Sequence, residues 1–406
     1  MLNYGDVVIL MPQNFSQIQY VIGDDSVVAN MKHSPAFPLF DDQLIDYLDT
    51  VSKVLLQSAD AKLYPDVITF AFWCRKASVN GLKRPYGDIT NRIGRGVAFH
   101  IAPSNVAVNF AYSLVAGLLS GNANIVRLPS KTFPQVGIIC SAFAQALNEK
   151  IEPYICLLQY GHEQQITDYL SGICDTRIIW GGDQTISTIR QSPLKARATE
   201  ITFADRYSFC VINAEAYLNS QMQKNVAQGF FNDTYLTDQN ACTSSRVVVW
   251  LGERVKEAQS VFWSNLHELV QEKYTLQPVQ AISKYLAFCK HAASSSSVHL
   301  ESKADNLIFR VKLDNLTETD IDYIFNSGYF IEYEANSLDD TLPLCSSSCQ
   351  TLSYFGLDNS ILKQFVMAAK PRGIDRIVPI GKTMDFSLIW DGYDLIRSLS
   401  REIEIN

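Results

Sequence analysis

The hydrophobic positions of this 406-residue chain change from helical spacing near the N-terminus to short apolar runs further along. Between residues 40 and 58, leucine, isoleucine and valine recur on one stripe, which predicts an amphipathic helix. A second helical pattern covers residues 66–80. Residues 1–40 contain several prolines and glycines and little periodicity, and we expect an edge hairpin or an extended arm there.

From Gly96 onward, short apolar runs alternate with helical segments. The strand candidates are residues 96–102, 124–128, 154–160, 177–180 and 209–213, and the helix candidates are residues 106–120, 134–149, 163–171 and 183–190. Strands that alternate with helices at this spacing predict a parallel sheet covered on both faces. Sheets of this kind bind ligands at the carboxyl ends of their strands.

The pattern after residue 214 is still α/β but less regular. Helices are expected at residues 254–273, 280–291 and 361–369, strands at 306–312, 329–333 and 351–355, and a last amphipathic helix at 393–403. We place domain boundaries after residues 213 and 379, which leaves residues 380–406 as a tail. We expect this tail to return to the first domain or to contribute to an oligomer interface.

Composition narrows the class of protein. Hydrophobic residues make up 47% and charged residues 19%, and a net charge of −8 argues against a nucleic-acid partner. The N-terminus lacks a basic signal region, so we expect a cytoplasmic protein. The longest apolar run, residues 106–119, is interrupted by Asn109 and too short to span a bilayer. Nine scattered cysteines without C-x-x-C and six scattered histidines predict no disulfide framework and no metal.

One cysteine has suggestive neighbours. Cys242 lies among small polar residues in the stretch 237–245, directly ahead of an apolar run that predicts a buried strand. A positioned thiolate is a strong nucleophile and a good leaving group, so it can carry an acyl group between two reactions. The alternative is an inert buried thiol, which is the commoner fate of a free cysteine.

Asn105 follows the first strand of the predicted parallel sheet, in the run Ile101-Ala102-Pro103-Ser104-Asn105. A ligand is expected at this end of the strand, and Ala102 and Pro103 would then contact a cofactor. The Asn105 amide is suited to stabilising a developing oxyanion. Asparagine is also a favoured cap for a helix such as the one that follows; the sequence alone favours the cap, and both roles could hold.

Two further turns lie at strand ends. Arg127, Ser130 and Lys131 follow the second strand, where two cations and a hydroxyl would suit the 2′-phosphate of a nucleotide, although a solvated basic turn fits equally well. Gly181-Gly182-Asp183 lies at a strand-to-helix turn that could admit a pyrophosphate, but Gly-Gly turns are common. The chain has no G-x-G-x-x-G after a strand, no G-x-S-x-G, no Walker A motif and no H-E-x-x-H.

The order of these pieces resembles the aldehyde dehydrogenase superfamily, and within it the fatty-acyl-CoA reductases of bacterial bioluminescence, the LuxC-like family. The resemblance runs from about residue 70 to the C-terminus. It is carried by residues 72–76, 96–131, 179–183, 203–208, 238–245, 350–351, 373–377 and 390–392. It implies an aldehyde-dehydrogenase-like fold, with a Rossmann-like cofactor domain in residues 1–213 and a smaller α/β catalytic domain in residues 214–379.

The resemblance also implies roles for single residues. Cys242 matches the acyl-accepting nucleophile, and Asn105 matches the oxyanion-hole amide. Arg127 stands where the superfamily usually has a lysine near the adenosine ribose, and Gly181-Gly182 match the cofactor-side turn. Hydrolytic members carry a general-base glutamate in Glu-Leu-Gly-Gly. This chain has Phe-Ala-Asp-Arg at residues 203–206, and Glu200 lies three residues too early.

A missing base favours thioester chemistry, because activating water requires a base whereas a thiolate is already nucleophilic. The resemblance therefore implies NADPH-dependent reduction of an acyl-CoA, fatty acyl in type, through an acyl-cysteine. The donor is acyl-CoA or an acyl-protein, and the assembly is a homodimer or a larger homo-oligomer. Two alternatives stay open: a CoA-acylating dehydrogenase that oxidises a small aldehyde, and a non-catalytic scaffold member of the superfamily.

Overall fold

The computed structural model describes residues 15–302 and 305–406, which divide into two compact units. The first unit comprises residues up to 204 together with 388–406, and the second comprises residues 205–387. The boundaries that the sequence suggests, after residues 213 and 379, lie nine residues after the first of these limits and eight residues before the second. The first fourteen residues of the expected arm lie outside the described part of the chain.

The first unit begins with β1 and is α/β throughout. Its elements before residue 204 are β1 Gln19–Ile22, α1 Asp25–Asn30, α2 Asp42–Gln57, α3 Pro65–Trp73, α4 Lys76–Lys83, β2 Arg92–Gly94, β3 Val97–Ile101, α5 Asn109–Leu119, β4 Ala123–Arg127, α6 Pro134–Ala146, β5 Ile155–Gln159, α7 Gln164–Ile173, β6 Thr176–Trp180, α8 Asp183–Ile189 and β7 Thr199–Phe203. Short 3-10 helices lie at Phe15–Gln17, Met31–His33, Ala61–Leu63, Arg84–Tyr86 and Glu152–Tyr154.

Six of these strands form one sheet in the order β1-β5-β4-β3-β6-β7. Strands β3 to β7 are parallel, and only β1 runs antiparallel, against β5. The predicted parallel sheet is therefore confirmed. Of the edge hairpin or extended arm expected over residues 1–40, the described part contains one edge strand, β1, and the helix α1. The chain builds β4 and β5 on one side of β3 and then crosses to β6 on the other. This reversal of strand order opens a crevice at the carboxyl ends of β3 and β6.

Local sequence explains where the helices of this unit stop. Helix α5 is almost entirely buried and ends before Gly121, whose φ of +83° favours glycine, as the sequence predicts. The single helix expected over residues 66–80 is instead two helices, α3 and α4. They are separated at Arg75, whose ψ of 141° is extended.

The second unit contains a larger mixed sheet. Its elements are β8 Tyr207–Asn213, α9 Ala214–Asn219, α10 Gln223–Thr234, β9 Ser245–Leu251, α11 Val255–Lys273, α12 Pro278–Ser294, β10 Val298–Ser302, β11 Phe309–Leu313, β12 Tyr329–Ala335, β13 Cys349–Phe355, α13 Asn359–Ala369 and β14 Arg376–Pro379. Short 3-10 helices lie at Tyr235–Thr237, Glu318–Tyr323 and Leu338–Leu344. The strand order is β10-β11-β12-β9-β8-β13-β14, with β10 antiparallel and the others parallel.

The sheet expected for strand β8 is wrong. The apolar run of this strand was expected to close the first sheet, but it lies inside the second, hydrogen-bonded to β9 and β13. The run is buried on both faces, which identifies a central strand of a parallel sheet without identifying its partners. Two hydrophobic clusters cover this sheet, one around Phe209 and Val249 and the other around Phe230, Trp250 and Phe262.

The C-terminal segment returns to the first unit. It forms β15 Ile389–Trp390, β16 Tyr393–Asp394, α14 Leu395–Ser398 and β17 Ser400–Glu402. The amphipathic helix expected over residues 393–403 is wrong, because only one turn of it is helical. Pairing overrides the local pattern: β17 pairs with β2, and the Asn122 amide donates to the Leu399 carbonyl at 2.9 Å. No helix of the described residues is both long and apolar enough to cross a membrane.

Candidate active site

Cys242 lies in a turn between the 3-10 helix Tyr235–Thr237 and strand β9. Seven of the nine cysteines are buried, Cys242 is half-buried, and Cys289 on α12 is exposed. Burial raises the pKa of the buried thiols, to about 12 at Cys140 and Cys210, for example. The buried thiols therefore stay protonated and enclosed. Cys242 is the partly accessible thiol that a structured turn holds in place.

Two left-handed residues shape this turn. Asp238 and Gln239 have φ of 51° and 57°, a conformation that costs about 1–2 kcal/mol for each L-residue and so needs tertiary support. Gln239 is buried and provides it: its Nε2 donates to the carbonyls of Ser245 at 2.9 Å and Tyr329 at 3.0 Å. Its Oε1 accepts from the Gly328 amide at 2.9 Å. The side chain thus fastens the turn to β9 and β12.

Asp238 fastens the same turn to the start of α12. Its carboxylate accepts hydrogen bonds from the Tyr274 hydroxyl, from Gln280 Nε2 at 2.8 Å and from Ser327 Oγ at 3.1 Å. Nearby, burial lowers the pKa of Lys284 to about 8, and its ammonium donates to the Ser327 carbonyl at 2.8 Å. Polar side chains from several elements therefore hold the segment that precedes Cys242.

Arg246 provides a positive charge that interacts with Cys242. It is the second residue of β9, and its Nη1 donates to the Phe325 carbonyl at 2.8 Å. Burial lowers the pKa of Arg246 to about 10, and attraction from Cys242 and Asp238 acts in the opposite direction. The attraction is mutual, so the guanidinium favours a thiolate at Cys242. Arg246 was not predicted from the sequence; a cation four residues after the candidate cysteine is the signal that could have found it.

Cys242 lies at the amino-terminal edge of its sheet, whereas the carboxyl edge was the expected place for ligands. The same edge gathers segments that are far apart in the sequence. Ser208 Oγ, in β8, donates to the Cys242 carbonyl at 2.7 Å and accepts from the Thr351 amide at 3.2 Å. Arg206 pairs with Asp375 at 2.6 Å. These five residues come from four of the segments that carry the family resemblance. The four segments, residues 203–208, 238–245, 350–351 and 373–377, therefore meet at one edge.

In the first unit, residues named from the sequence flank the crevice between β3 and β6. Ala102, Pro103 and Asn105 follow β3, and the Ala102 amide donates to the Arg127 carbonyl at 3.1 Å. The run Gly181-Gly182-Asp183 follows β6, with Gly182 as the N-cap of α8. A Cβ added at Gly181 would come within 3.1 Å of the Thr185 side chain, so glycine keeps this turn compact.

Asn105 is exposed and does not cap a helix. Helix α5 begins at Asn109, with Val108 at the N-cap and no side-chain cap there. The capping alternative is therefore wrong, and the oxyanion role stays a prediction. Asn105 belongs to the first unit and Cys242 to the second.

The cations after β4 differ in their surroundings. The Arg127 guanidinium lies over the Tyr160 ring at 4.4 Å and donates to the Gly161 carbonyl, so it also supports the loop after β5. Lys131 is exposed and lies 5.2 Å from the Phe133 ring centroid. Ser130 Oγ is 3.0 Å from Ser104 Oγ, which joins the loops after β3 and β4.

Glu200, the glutamate near the position of the missing base, has a structural role. It lies in the edge strand β7, and its carboxylate pairs with Arg177 at 2.5 Å and Arg190 at 2.7 Å. Arg177 is buried and also donates to the Ser171 hydroxyl and the Ser192 carbonyl at 2.9 Å. Two arginines thus hold this carboxylate in an ion pair, which does not suit a general base.

A buried polar network under the first sheet was not foreseen from the sequence. His100 Nδ1 lies 2.7 Å from Ser113 Oγ, which also accepts from Trp180 Nε1 at 3.0 Å, and His100 Nε2 lies 3.0 Å from Asn124 Oδ1. Burial lowers the pKa of His100 to about 4, so the imidazole is neutral. The network joins β3, β4 and β6 through α5 and fixes the strand ends that border the crevice.

The fold is that of the aldehyde dehydrogenase superfamily. The chain is similar to a mutant form of 1-pyrroline-5-carboxylate dehydrogenase from Thermus thermophilus, with a TM-score of 0.64 and 10% identity, covering 93% of this chain and 82% of that one. It is similar to lactaldehyde dehydrogenase from Escherichia coli, with a TM-score of 0.62 and 10% identity, covering 93% and 88%. At such identities the likeness concerns the fold alone.

The chain belongs to the acyl-CoA reductase (LuxC) family, whose sequence profile matches residues 82–402. It is 25% identical over 318 residues to the long-chain acyl-protein thioester reductase of Vibrio harveyi, covering 76% of this chain and 63% of that protein. The reductase of the same name from Photorhabdus laumondii is 22% identical over 325 residues, covering 76% and 62%. The chain therefore spans less than two thirds of the length of these relatives.

Proposed function

We propose that this protein reduces a fatty-acyl thioester to the aldehyde with NADPH, through an acyl group held on Cys242. The observation that carries the proposal is the setting of Cys242: it is half-buried, held in a turn braced by Gln239, and attracted to the half-buried Arg246 guanidinium. A cation close to a cysteine favours the thiolate that attacks a carbonyl. Membership of the LuxC family supports a thioester as the substrate.

The first half-reaction needs only groups of this chain and the substrate. The Cys242 thiolate attacks the thioester carbonyl, and the tetrahedral oxyanion collapses as the donor thiolate leaves. Cys242 then holds the acyl group as a new thioester. The Asn105 amide is proposed to donate a hydrogen bond to that oxyanion, a contribution typically worth about 3 kcal/mol. The donor is acyl-CoA or an acyl-protein; the names of the relatives favour the latter.

We propose that the crevice between β3 and β6 binds the dinucleotide. It is a reversal of strand order with a Gly-Gly turn on one side and loops bearing Ser130 and Lys131 nearby. We assign Ala102, Pro103, Gly181-Gly182-Asp183 and the Arg127 to Lys131 loop to cofactor binding, with Arg127, Ser130 and Lys131 directed to a 2′-phosphate. A bound NADPH would supply the hydride that reduces the acyl thioester.

Glu200, the glutamate nearest in sequence to the position of the missing base, favours thioester reduction over aldehyde oxidation that ends in hydrolysis of the acyl-enzyme. Glu200 is committed to Arg177 and Arg190, and residues 203–206 carry no glutamate. Water would therefore lack an evident base, whereas a thiol donor needs none.

The decisive experiment is covalent labelling with radioactive acyl donors. Wild-type protein should take up label from a long-chain acyl-CoA or acyl-protein and release it as aldehyde when NADPH is added. Cys242→Ser should take up no label that NADPH releases as aldehyde, and Cys242→Ala should take up none at all. Cys289→Ser removes the exposed thiol on α12 and is the matched control that should label normally. Undiminished labelling of Cys242→Ala would overturn the proposal.

A panel of donors from short to long chain tests the substrate class. Preference for short chains, with NAD-dependent oxidation of small aldehydes, would indicate a CoA-acylating dehydrogenase. Folded wild-type protein that neither labels nor consumes NADPH with any donor would indicate a scaffold member.

A further inference from the structure

Asp233 is a buried carboxylate near the C-terminal end of α10, nine residues before Cys242. Its Oδ2 accepts from the Gly381 amide at 2.6 Å and its Oδ1 from the Thr383 amide at 3.2 Å. Asp233 forms no salt bridge within the described residues. The charged group that interacts with it, Asp385, is also negative. Burying a carboxylate without a cation is costly, so the two backbone bonds must compensate.

The main chain of Asp233 connects to the nucleophile turn. The Asp233 carbonyl accepts from Ser244 Oγ at 2.8 Å. Ser244 is buried and lies two residues after Cys242, so this bond fixes the far side of the turn. Gln239 and Asp238 fix its near side, as described above.

The loop that Asp233 binds also contacts the nucleophile turn directly. Thr243 Oγ1 donates to Met384 Sδ at 3.2 Å, and Thr243 is the residue next to Cys242. A glycine pair lets the loop come close to α10: a Cβ added at Gly229 would lie 3.1 Å from the Gly381 Cα. Gly381 itself has a φ of +88°, which L-residues rarely adopt. The loop, residues 380–385, is therefore packed between α10 and the turn.

We propose that Asp233 is a positioning residue that ties the loop 380–385 to the turn carrying Cys242 and so sets the direction of the thiol. The inference rests on the function proposed above, because it assigns a geometric requirement to the acyl-transfer step. Attack on a thioester carbonyl demands alignment of the reacting atoms, and small displacements of a nucleophile lower the rate steeply. Alkylation by a small reagent such as iodoacetamide makes weaker demands on direction.

The charge of Asp233 makes its hold on the loop 380–385 depend on pH. The pKa of Asp233 is raised to about 7, mainly by burial and in smaller part by repulsion from Asp385, against the opposing effect of hydrogen bonds from Gly381 and Thr383. The Cys210 thiol on β8 also interacts electrostatically with Asp233, and Lys382 of the same loop pairs with Asp385 at 3.0 Å. Protonation as pH falls through about 7 removes one acceptor, so the loop should be held less firmly at lower pH.

The test compares Asp233→Ala and Asp233→Asn with wild type, all carrying Cys289→Ser so that the exposed thiol does not react. Three rates are measured on folded protein: acylation of Cys242 by a radioactive long-chain acyl donor, its alkylation by iodoacetamide, and hydrogen exchange in residues 380–387. Asp233→Ala should slow acylation at least about 10-fold, change alkylation less than about 3-fold, and accelerate exchange. Asp233→Asn should be intermediate.

Wild-type protection from exchange in residues 380–387 should fall as pH decreases through about 7, whereas protection in Asp233→Asn should stay level. Asp320→Asn is the matched control: it alters a buried aspartate of the same unit, bonded to His291 at 2.8 Å, and should leave all three rates per folded molecule unchanged. Unchanged acylation and exchange in Asp233→Ala would overturn the inference. If wild type is not acylated at all, the proposed function fails, and the exchange data still decide whether Asp233 holds the loop.

Discussion

The two sheet edges that carry the candidate site differ in how their polar side chains are satisfied. At the amino edge of the second sheet, Gln239 is buried and bonded to two strands, and Asp238 accepts from three side chains. At the carboxyl edge of the first sheet, Asn105, Ser130 and Lys131 are exposed. The first arrangement keeps a reacting atom in one place, whereas the second leaves polar groups accessible to a ligand. The proposed division into a nucleophile edge and a cofactor edge follows from this contrast.

The strongest test of the nucleophile edge is Gln239→Ala. The change leaves the Gly328 amide and the carbonyls of Ser245 and Tyr329 without their partner and removes support from two left-handed residues. We expect a loss of about 4 kcal/mol in the free energy of unfolding, measured by urea denaturation. Gln228→Ala, which removes a half-buried glutamine of α10, should cost less than about 1 kcal/mol. A loss at Gln239 no larger than at Gln228 would show that the turn does not depend on it.

At the cofactor edge, Asn105→Ala should affect rate and not stability. The side chain is exposed, so the midpoint of thermal unfolding should stay within a degree or two, while acylation of Cys242 should slow about 100-fold through loss of an oxyanion donor. Quenched acylation assays and differential scanning calorimetry measure the two effects. Asn109→Ala, four residues later in the first turn of α5, serves as the control with a normal rate. Normal acylation by Asn105→Ala would contradict the assignment.

The smallest expected effect concerns the cation after β4. Arg127→Met should raise the KM for NADPH about 5-fold, the loss of one partly exposed charge pair, and change the KM for NADH less than about 2-fold. Steady-state kinetics with both nucleotides provide the comparison, and Lys150→Met, an exposed cation of the same unit, is the control. Equal changes for NADPH and NADH would indicate that Arg127 serves only the Tyr160 and Gly161 loop.

Secondary structure was predicted best where the hydrophobic pattern and the turn residues of the same segment indicate the same element. The alternation from Gly96 to Trp180 predicted parallel strands and their helices, and Gly121 marked the end of α5. The sequence also placed Ala102 and Gly181 after strands whose carboxyl ends share one crevice. These features follow from periodicity and turn geometry, which neighbouring residues encode.

Errors arose where distant segments compete with local preference. Residues 393–403 have a helical pattern, but pairing of β17 with β2 and capture of the Leu399 carbonyl by Asn122 replaced most of the helix. The apolar run of β8 identified a buried strand but not its sheet. The apolar pattern of one strand does not identify the strands beside it, so such errors are expected.

The sequence by itself determined the family resemblance, the α/β class and the identity of Cys242 as the candidate nucleophile, because these depend on residue types and their order. Only the tertiary structure decided that Cys242 lies half-buried at the amino edge of its sheet, near Arg246 and below a loop held by Asp233. It also decided that Glu200 is an ion-pair partner. The physical reason is that burial, charge proximity and hydrogen bonding arise between segments far apart in the chain, and these set the reactivity of a side chain.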